Sequence, residues 1–417
     1  MNGKSRQAGG HSIESVLLLG NYRPALAVVR HLDPARYRFI IGLEGSEGFC
    51  EHSRFVREKW DHPPLASGER FLEALLGLLV RRPDIRTIFP IAEDFAAYLA
   101  AHADRLPEYL AVASPQPDVV EKCRDKATMY RLARQLGIGS EPCEEAFSYD
   151  EALAVSAELG FPVVVRSVDA LVRIGRKKAV ICASEADFCE QIPTLPEANR
   201  GLLIQKQASG QRHNVYFAAR QGTLLRHADH VTRRTDHPDG TGLTVSGTCG
   251  ATPPRLAAET ARLTEALRYT GVGLSQFLVD ERSGRSTFLE LNPRVGGGLA
   301  IAEAYGLGLG QAALAIAHGE EPAPVILSER DLRYAWLSGD LSGLVKAVRA
   351  RELGGRASMS WIVRLVRDSV RADVHASWRW DDPLPTTMRY LDRIPFLRRL
   401  TRSRKPCATS AGVAGEL

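Results

Sequence analysis

The stretch STFLELNPRVGGG, residues 286–298, carries three polar side chains on alternate positions of an otherwise apolar run. They are a carboxylate at Glu290, an amide at Asn292 and a guanidinium at Arg294. Residues two apart in a strand share a face, so these side chains point one way while the neighbouring leucines point into the core. The stretch therefore predicts a strand with one polar, functional face that ends in a glycine-rich turn.

The polar face extends onto the preceding segment. Residues 274–280 and 286–292 are apolar runs separated by ERSGR, which predicts a β-hairpin, and Gln276 would lie beside the polar face across it. Oxygen atoms from Gln276, Glu290 and Asn292 suit a hard cation such as Mg²⁺, or Mn²⁺ in its place, that carries phosphate oxygens. The hairpin therefore predicts a metal site.

The end of the hairpin adds a cation and a flexible backbone. Arg294 would stabilise the charge of a transferring phosphoryl group, which makes it a candidate catalytic residue together with Glu290 and Asn292. The glycines at 296–298 would let the backbone approach a ligand closely. From these residues alone, the alternative is a solvated strand face that is capped by a loop.

The composition is that of an ordinary soluble, globular protein. The chain has 417 residues, of which 44% are hydrophobic and 25% charged, and its length indicates two or three domains. No apolar run approaches the ~20 residues needed to span a bilayer, and we interpret the N-terminus as a flexible leader before a first strand. The seven cysteines include no CxxC pair, which favours a reducing compartment, the cytoplasm, over a disulfide framework or a zinc site.

The pattern of elements changes twice along the chain. Strands and helices alternate over residues 12–115, which predicts an α/β domain with a parallel sheet and helices on both faces. Residues 116–325 mix helices with antiparallel strands, which predicts an α+β domain. Residues 326–417 form a helical, tryptophan-containing extension with an end that we expect to be disordered. From Asp331 onward the chain has 16 Lys and Arg against 9 Asp and Glu, so the net charge of +5 originates in this extension.

The hairpin and three further motifs resemble the ATP-grasp superfamily, and within it the large subunit of carbamoyl phosphate synthetase and its stand-alone ligase relatives. The resemblance covers about residues 12–325 and implies a pre-ATP-grasp domain followed by an ATP-grasp nucleotide-binding domain. SQFLVDERSGRSTFLELNPRVGGG looks like the metal-binding hairpin of that group. The resemblance places Gln276, Glu290 and Asn292 at the metal-ligand positions, with Arg294 after them.

Three motifs in the resemblance would hold the nucleotide. CRDKATMYRLARQLGI contains Lys126 and GFPVVVRSV contains Arg166, and both residues match phosphate-contacting positions of the family. LLIQKQASGQRHNV occupies the position of the adenine hinge, where backbone groups would contact the base. The residues that the resemblance assigns to the cofactor site are Lys126, Arg166, Gln205, Lys206, Gln207, Ala208 and His213.

The loop after the Arg166 strand departs from the family pattern. The family usually has a glycine-rich loop over the phosphates, whereas SVDALVRIGRKKA has one glycine, Gly175. Side-chain charge would replace the missing backbone contacts, and a solvated basic turn is the alternative. The cations available there are Arg173, Arg176, Lys177 and Lys178. Lys206 and His213 also stand where the family often carries acids.

Other candidates have weaker patterns. HADHVTRRTDHPDGTG contains His227, His230 and His237, whose spacing is irregular for a metal site, so a loop is the simpler interpretation. In the resemblance this segment lies beside the phosphates and the acceptor, where Arg233 and Arg234 would hold an acidic substrate. The tryptophans and arginines of the extension indicate packing and a solvated face, with a membrane-surface helix as the alternative. No nucleic-acid-binding fold accompanies the basic residues, which argues against a nucleic acid as partner.

The resemblance implies an ATP- and Mg²⁺-dependent ligase. Such an enzyme transfers the γ-phosphate of ATP to a carboxylate, and an amine or similar nucleophile then displaces phosphate, so that ADP and phosphate are released. Its partners would be small-molecule carboxylate and amine substrates. The sequence leaves open whether the chain forms a homodimer. The missing glycines leave a catalytically impaired ATP-binding protein as one alternative, and the basic extension leaves a membrane-associated scaffold subunit as another.

Overall fold

The computed structural model describes residues 13–44, 49–174, 177–192 and 201–391 of the chain. The leader and the end of the extension, for which the sequence predicts flexibility and disorder, lie outside the described residues. The described residues form three β-sheets with helices packed on them: a parallel sheet, a small antiparallel sheet and a larger sheet.

The N-terminal sheet is parallel throughout, as predicted. Its strands are β1 (Glu14–Leu19), β2 (Tyr37–Leu43), β3 (Val56–Asp61), β4 (Ile85–Pro90) and β5 (Ala111–Val112). They lie in the spatial order β3-β2-β1-β4-β5. β1 and β2 are almost continuously buried because helices cover both faces of the sheet. β3 was not predicted, because this edge strand alternates charged and half-buried residues and gives little apolar signal.

Three helices cover this sheet, which confirms the predicted layered arrangement. They are α1 (Arg23–His31), α2 (Glu69–Arg81) and α3 (Glu93–Ala101). α1 begins with Pro24 in its first turn, where a proline costs no hydrogen bond. α1 packs in one core cluster, whereas Phe71 of α2 and Phe95 of α3 pack in a second cluster on the other face.

The small sheet follows two helices and is antiparallel. The elements of this part are α4 (Pro117–Arg124), α5 (Lys126–Gln135), β6 (Cys143–Ala146), α6 (Tyr149–Leu159), β7 (Val163–Ser167), β8 (Val180–Cys182), α7 (Glu185–Gln191) and β9 (Leu202–Lys206). The strand order is β6-β9-β7-β8. Its own apolar cluster lies between the sheet and residues of α6 and α7, so this sheet is a separate layer.

The large sheet has seven strands, and the predicted hairpin lies at its edge. The strands are β10 (Gln211–Arg220), β11 (Thr223–Thr235), β12 (Thr244–Gly250), β13 (Gly271–Val279), β14 (Ser286–Asn292), β15 (Leu332–Ala335) and β16 (Val374–His375). The order is β14-β13-β10-β11-β12-β15-β16. The helices are α8 (Pro254–Ala266), α9 (Leu299–Ala304) and α10 (Leu309–Ala317). α8 ends at Ala266, and β13 begins at Gly271.

The extension is helical, as predicted, but it begins inside the large sheet. Its helices are α11 (Leu337–Arg349), α12 (Gly355–Arg371) and α13 (Leu384–Leu391). Residues 332–335, which the sequence assigned to the extension, form β15 and pair with β12. Four residues are too few for an alternating pattern to be recognised in the sequence.

One core cluster joins the N-terminal sheet, the large sheet and the extension. It contains residues of α1, α9 and α10 together with Trp336 of the extension. A buried ion pair adds to this contact, because Arg30 of α1 lies 2.9 Å from Asp382. Among the described helices, none combines the length and the apolar character that crossing a membrane requires.

Candidate active site

The β13–β14 hairpin brings the predicted metal ligands together. Gln276 lies opposite Glu290, and Asn292 follows two residues later on the same strand. The register shifts after Gln276, so Leu289 has no residue opposite it and forms a β-bulge. The strict alternation predicted from the sequence is therefore interrupted at Leu289, whose carbonyl oxygen accepts a hydrogen bond from Tyr130 at 2.9 Å.

Hydrogen bonds fix the amides of this face. Asn292 Nδ2 donates to Glu290 Oε1 at 2.9 Å. Gln276 Nε2 donates to Asn214 Oδ1 on β10 at 2.8 Å. Arg294 donates to Asn292 Oδ1 at 3.3 Å. Among the described residues, these bonds leave the Gln276 oxygen and the second Glu290 oxygen without a donor, and both are therefore free to bind a cation.

The two predicted phosphate contacts come from neighbouring elements. Lys126 is the first residue of α5, and the side chain of Asp125 caps that helix. The Lys126 ammonium is buried and donates to the carbonyl oxygen of Ser167 on β7 at 3.3 Å. Arg166, also on β7, donates to the Tyr130 hydroxyl at 3.4 Å, and its Nε has no partner in the described part of the chain. The two cations therefore meet beside the hairpin.

The surrounding charges keep Glu290 ionised. Burial raises the pKa of Glu290, but the charge of Lys178 and the hydrogen bond from Asn292 lower it. Lys126 and Arg166 act in the same direction, and together these groups hold the pKa of Glu290 at about 2. Burial lowers the pKa of Lys126 to about 8, against the raising effect of Glu290. At neutral pH the hairpin therefore offers a charged carboxylate, which a hard metal ion requires.

Lys178 is the residue of the glycine-poor loop that reaches this face. Its ammonium lies 3.8 Å from Glu93 Oε2. Of the groups that lower the pKa of Glu290, Lys178 has the largest effect. Lys178 therefore brings positive charge from this loop to the polar face of the hairpin.

The other loop cations have different surroundings. Lys177 donates to Gln191 Oε1 on α7 at 3.4 Å, and Arg173 is exposed. Gly175 and Arg176 lie outside the described residues. The proposal that all four cations replace the glycine contacts is thus supported by geometry for Lys178.

We predict that Lys178→Gln weakens ATP binding about tenfold, because one charge-assisted contact to a phosphate would be lost. Lys177→Gln is the matched control and should leave ATP affinity unchanged, since its side chain contacts Gln191. Calorimetric titration with a non-hydrolysable ATP analogue measures both affinities. Equal weakening by the two substitutions would mean that the loop acts only through its overall charge.

The backbone after β9 offers an acceptor and a donor at the predicted hinge. The Lys206 N–H donates to the Pro142 carbonyl at 3.0 Å. Pro142 has no N–H with which to return this bond, so the Lys206 carbonyl is left unpaired on that side. Gln207 N–H donates to the Pro162 carbonyl at 3.1 Å, whereas Ala208 N–H has no backbone acceptor among the described residues. An adenine edge needs such an acceptor and donor.

Two hinge-region side chains are held by the protein. Lys206 Nζ donates to the carbonyl oxygens of Gly160 at 2.5 Å and Phe161 at 3.1 Å. His213 Nδ1 lies 2.6 Å from Asp229 Oδ2. The Lys206 side chain is therefore held at Gly160 and Phe161, so its backbone is the part that can contact a nucleotide. The ring of His213 is oriented by Asp229.

Glu93 is a member of the site that was missed in the sequence. It is the first residue of α3 and follows the carboxyl end of β4. Its Oε2 accepts a hydrogen bond from Arg294 at 3.3 Å and lies 3.8 Å from the Lys178 ammonium. Ligand-binding groups in α/β sheets collect at the carboxyl ends of the strands, so the acid directly after a predicted strand was the available signal.

Arg212 was also missed. It precedes Asn214 by two residues and shares its face of β10. Its Nε donates to Thr232 Oγ1 at 3.5 Å, and one of its terminal nitrogens is buried without a partner in the described chain. Burial lowers the pKa of Arg212, and the charge of Glu290 opposes this effect. In the sequence it stands within QRHN, where nothing distinguishes it from an exposed strand end.

The site has a surplus of positive charge. Its cations are Lys126, Arg166, Lys178, Arg212 and Arg294. Three carboxylates act on these cations, namely Glu93, Glu290 and Asp236. Buried donor atoms without a partner among the described residues belong to Arg166, Gln205, Arg212 and Arg294. Because buried donors are nearly always satisfied in native proteins, this set indicates an anionic ligand.

The glycines after Arg294 pack closely against the protein. A Cβ at Gly298 would lie 2.4 Å from His230 Nδ1, and a Cβ at Gly296 would lie 2.7 Å from the Tyr216 hydroxyl. The Gly298 N–H donates to the same hydroxyl at 2.9 Å. These contacts explain the glycines by packing, whereas the sequence predicted an approach to a ligand.

The histidine-rich stretch forms no metal site in the structure. Within the described ranges, no group of three or more His, Cys, Asp or Glu side chains is placed to hold a metal ion. Burial, with the charges of Arg212 and Arg23, lowers the pKa of His230 to about 3, so this ring is neutral. A metal at the hairpin would therefore depend on one carboxylate, Glu290, and on amide oxygens.

Comparisons with known proteins bear on the fold and on the segment that contains the hairpin. The family described as "Carbamoyl-phosphate synthase L chain, ATP binding domain" matches residues 251–323, which contain the hairpin. A putative urea carboxylase of Emericella nidulans is 26% identical over 208 residues. A carbamoyl phosphate synthase large chain of Xylella fastidiosa is 27% identical over 194 residues. The matches cover 45% and 44% of this chain, but only 16% and 18% of those longer proteins.

Solved structures match over more of the chain. A biotin carboxylase–β,γ-ATP complex from Campylobacter jejuni has a TM-score of 0.62 at 15% identity, covering 78% of this chain and 76% of its own. N5-carboxyaminoimidazole ribonucleotide synthetase in complex with ADP has a TM-score of 0.62 at 12% identity, covering 82% and 87%. An L-amino acid ligase from Bacillus licheniformis has a TM-score of 0.59 at 15% identity, covering 77% and 79%. The fold class and the resemblance predicted from the sequence are thereby confirmed.

Proposed function

We propose that this chain, which has the ATP-grasp fold, is an ADP-forming, Mg²⁺-dependent ligase that joins a carboxylate to an amine or a similar nucleophile. The observation that carries the proposal is the group of cations around the ionised Glu290, in which Lys126 is buried and Arg166 has a buried nitrogen without a partner among the described residues. The similar structures include a β,γ-ATP complex, an ADP complex and an L-amino acid ligase, which supports the reaction class.

The nucleotide would lie between the hinge and the hairpin. The unpaired carbonyl of Lys206 and the N–H of Ala208 would bind the adenine edge, with Gln205 and Gln207 beside them. His213, oriented by Asp229, would contact the ribose. The phosphates would be bound by the cations Lys126, Arg166 and Lys178, whose charges already act on the hairpin. Arginine and lysine donors to phosphate form strong, charge-assisted hydrogen bonds.

The hairpin oxygens fit a magnesium ion. Gln276 and Glu290 each present an oxygen that receives no hydrogen bond from the described residues, and both are hard ligands. Asn292 would join them once its oxygen no longer accepts the hydrogen bond from Arg294. A magnesium ion bound by these three residues would neutralise part of the charge of the phosphates.

Arg294 is placed to act on the group that is transferred. Its Nε has no partner among the described residues, and its terminal nitrogen is shared between Asn292 and Glu93. A carboxylate oxygen of the substrate would attack the γ-phosphorus, the bond to the β,γ-bridging oxygen would break, and ADP would leave. An amine would then attack the acyl carbon of the acylphosphate, and phosphate would depart with the acyl oxygen. The protein contributes positioning and neutralisation of charge to both steps.

The test is a screen of carboxylic acids and amines for stimulated nucleotide turnover by the full chain. The proposal expects ADP and inorganic phosphate to form together, to depend on one carboxylic acid and to increase with the right amine. AMP and pyrophosphate would instead indicate an adenylating enzyme. Tight ATP binding without turnover for any pair would support the catalytically impaired ATP-binding protein.

A further inference from the structure

A cavity of about 650 Å³ lies between the large sheet and helix α12 of the extension. Strands β11, β12 and β15 form its inner wall, and α12 forms its outer wall. The arginines in its lining are Arg233, Arg234, Arg333, Arg364, Arg367 and Arg371. A single acid, Asp368, lines it with them. We call this cavity the arginine pocket.

The outer wall is held in place by a buried network. Trp361, Arg364, Asp368 and Arg371 recur every three or four residues and therefore share one side of α12. The Trp361 indole N–H donates to Asp340 Oδ1 of α11 at 2.6 Å. Trp361 is buried with Leu365 in a small apolar cluster, so the arginines on this side of α12 have a fixed support.

Arg234 belongs to this support. It donates to Asp368 at 2.8 Å and to Asp340 at 3.1 Å, with a second bond to the other Asp340 oxygen. The sequence predicted that Arg234 would hold an acidic substrate, but its guanidinium is committed to these two acids. Arg233 donates to Gln211 Oε1 at 2.6 Å and lies 3.9 Å from Glu281 Oε1, so part of its charge is used outside the pocket.

The pocket keeps positive charge that the protein does not neutralise. Arg364 and Arg371 are exposed and form no ion pair with the described residues. Arg367 lies 2.8 Å from Asp368, an acid that Arg234 already uses. Arg333 is paired with Asp373 outside the lining. Low-dielectric walls around one sign of charge concentrate the field in a cavity of this kind.

The pocket borders the candidate active site. Tyr334 lines the pocket, and its hydroxyl lies 3.5 Å from the carbonyl oxygen of Gly297, three residues after Arg294. Arg23 donates to the same hydroxyl at 3.1 Å. On the other side, Thr232 precedes Arg233 and accepts a hydrogen bond from the Asn214 amide that holds Gln276. One or two side chains therefore connect the pocket lining to the hairpin and to the turn that follows it.

We propose that the arginine pocket binds a small soluble polyanion that carries a phosphate or at least two carboxylates, and that this anion is part of one substrate of the ligase. The substrate role rests on the proposed function, whereas anion binding does not. Guanidinium groups bind phosphates and carboxylates in bidentate geometry, and the volume is that of a small-molecule site.

A phospholipid headgroup has the same chemistry, but the orientation of α12 favours a soluble ligand. The exposed apolar residues of α12 include Ile362, Val363, Val366 and Val370. At 100° per residue, the centre of these four positions lies about 150° around the helix from the centre of the positions that line the pocket, although Val363 lies about 40° from Arg367. A membrane surface that met those apolar residues would have Arg364 and Arg371 on the far side of the helix, where they line the cavity.

Calorimetric titration of the full chain in metal-free, low-salt buffer tests the proposal, with citrate and inorganic pyrophosphate as probes. Arg364→Gln/Arg371→Gln should weaken probe binding about tenfold, since two charge-assisted contacts are lost at a partly exposed site. Arg349→Gln/Arg356→Gln removes the same charge from exposed positions outside the pocket and should change nothing. Lys126→Gln/Arg166→Gln, in the nucleotide site, should leave citrate binding intact.

These variants separate the two proposals. Loss of probe binding only in Lys126→Gln/Arg166→Gln would overturn the pocket proposal and leave the ligase proposal standing. The pocket proposal would also be overturned if the wild-type chain bound neither probe. It would likewise be overturned if the pocket arginines bound phosphatidylglycerol vesicles but no soluble anion. A failed screen for ADP release would overturn the proposed function without changing the titrations.

Discussion

Glu290→Gln should lower carboxylate-dependent ADP release about a thousandfold, because it removes the charged metal ligand of the hairpin. ATP binding without Mg²⁺ should persist or tighten, since a negative charge near the phosphates is lost. The two quantities, turnover with Mg²⁺ and nucleotide affinity without it, are measured by coupled assay and by calorimetry. Glu281→Gln makes the same change in the exposed turn of the hairpin and should be neutral.

The substitution should also lower thermal stability. The pKa of Glu290 is depressed to about 2 in the folded chain, so its ionised form stabilises the fold above its ordinary range near pH 4.5, and this stabilisation is lost as the pH falls toward 2. Turnover must therefore be measured below the melting temperature of the variant. Normal Mg²⁺-dependent turnover in a folded Glu290→Gln chain would remove Glu290 from the metal site.

Arg294→Ala should lower kcat about a hundredfold or more while it changes ATP affinity little. The reason is that Arg294 contacts Asn292 and Glu93 at the end of the hairpin, where charge would develop during phosphoryl transfer. Arg294→Lys should recover part of the loss, because it keeps the charge but not the planar donor group. Steady-state and single-turnover kinetics separate kcat from binding.

Arg282→Ala is the matched control for this prediction. Arg282 lies in the exposed turn of the same hairpin, so its removal changes the net charge equally without touching the polar face. An equal loss of kcat in both variants would show that Arg294 acts through the charge or stability of the hairpin. A rise in KM for ATP alone would assign Arg294 to nucleotide binding.

The sequence predicted those parts of the fold and the site that depend on short patterns of neighbouring residues. The parallel N-terminal sheet followed from strand–helix alternation, and the hairpin followed from two apolar runs around ERSGR. The placement of Gln276 across the hairpin from the polar face followed from the same two runs, although its exact partner, Glu290, depends on the bulge at Leu289. These features depend on neighbours in sequence, which is why one sequence was sufficient.

The missed features depend on contacts between distant segments. Glu93 reaches Arg294 across about 200 residues, and one terminal nitrogen of Arg212 is buried because β10 lies inside the large sheet. The bulge at Leu289 is invisible because it changes the pairing without changing the apolar pattern. β15 is too short to recognise alone, and the arginine pocket exists only because α12 folds back onto the sheet.

The hinge illustrates a further limit. The resemblance assigned backbone groups of residues 205–208 to the adenine, but the reason that one carbonyl is unpaired lies in Pro142, more than 60 residues earlier. Likewise, Lys178 and Lys177 are adjacent and chemically identical in the sequence, and the structure directs one to Glu93 and the other to Gln191.

The transfer of labelled oxygen tests the acylphosphate mechanism most directly. The carboxylic acid that stimulates ADP release is labelled with ¹⁸O in its carboxylate, and the inorganic phosphate formed with the amine present is analysed by mass spectrometry. Our account predicts one ¹⁸O atom in each phosphate, because the acyl oxygen leaves with the phosphoryl group. Phosphate without the label, while amide product accumulates, would contradict it.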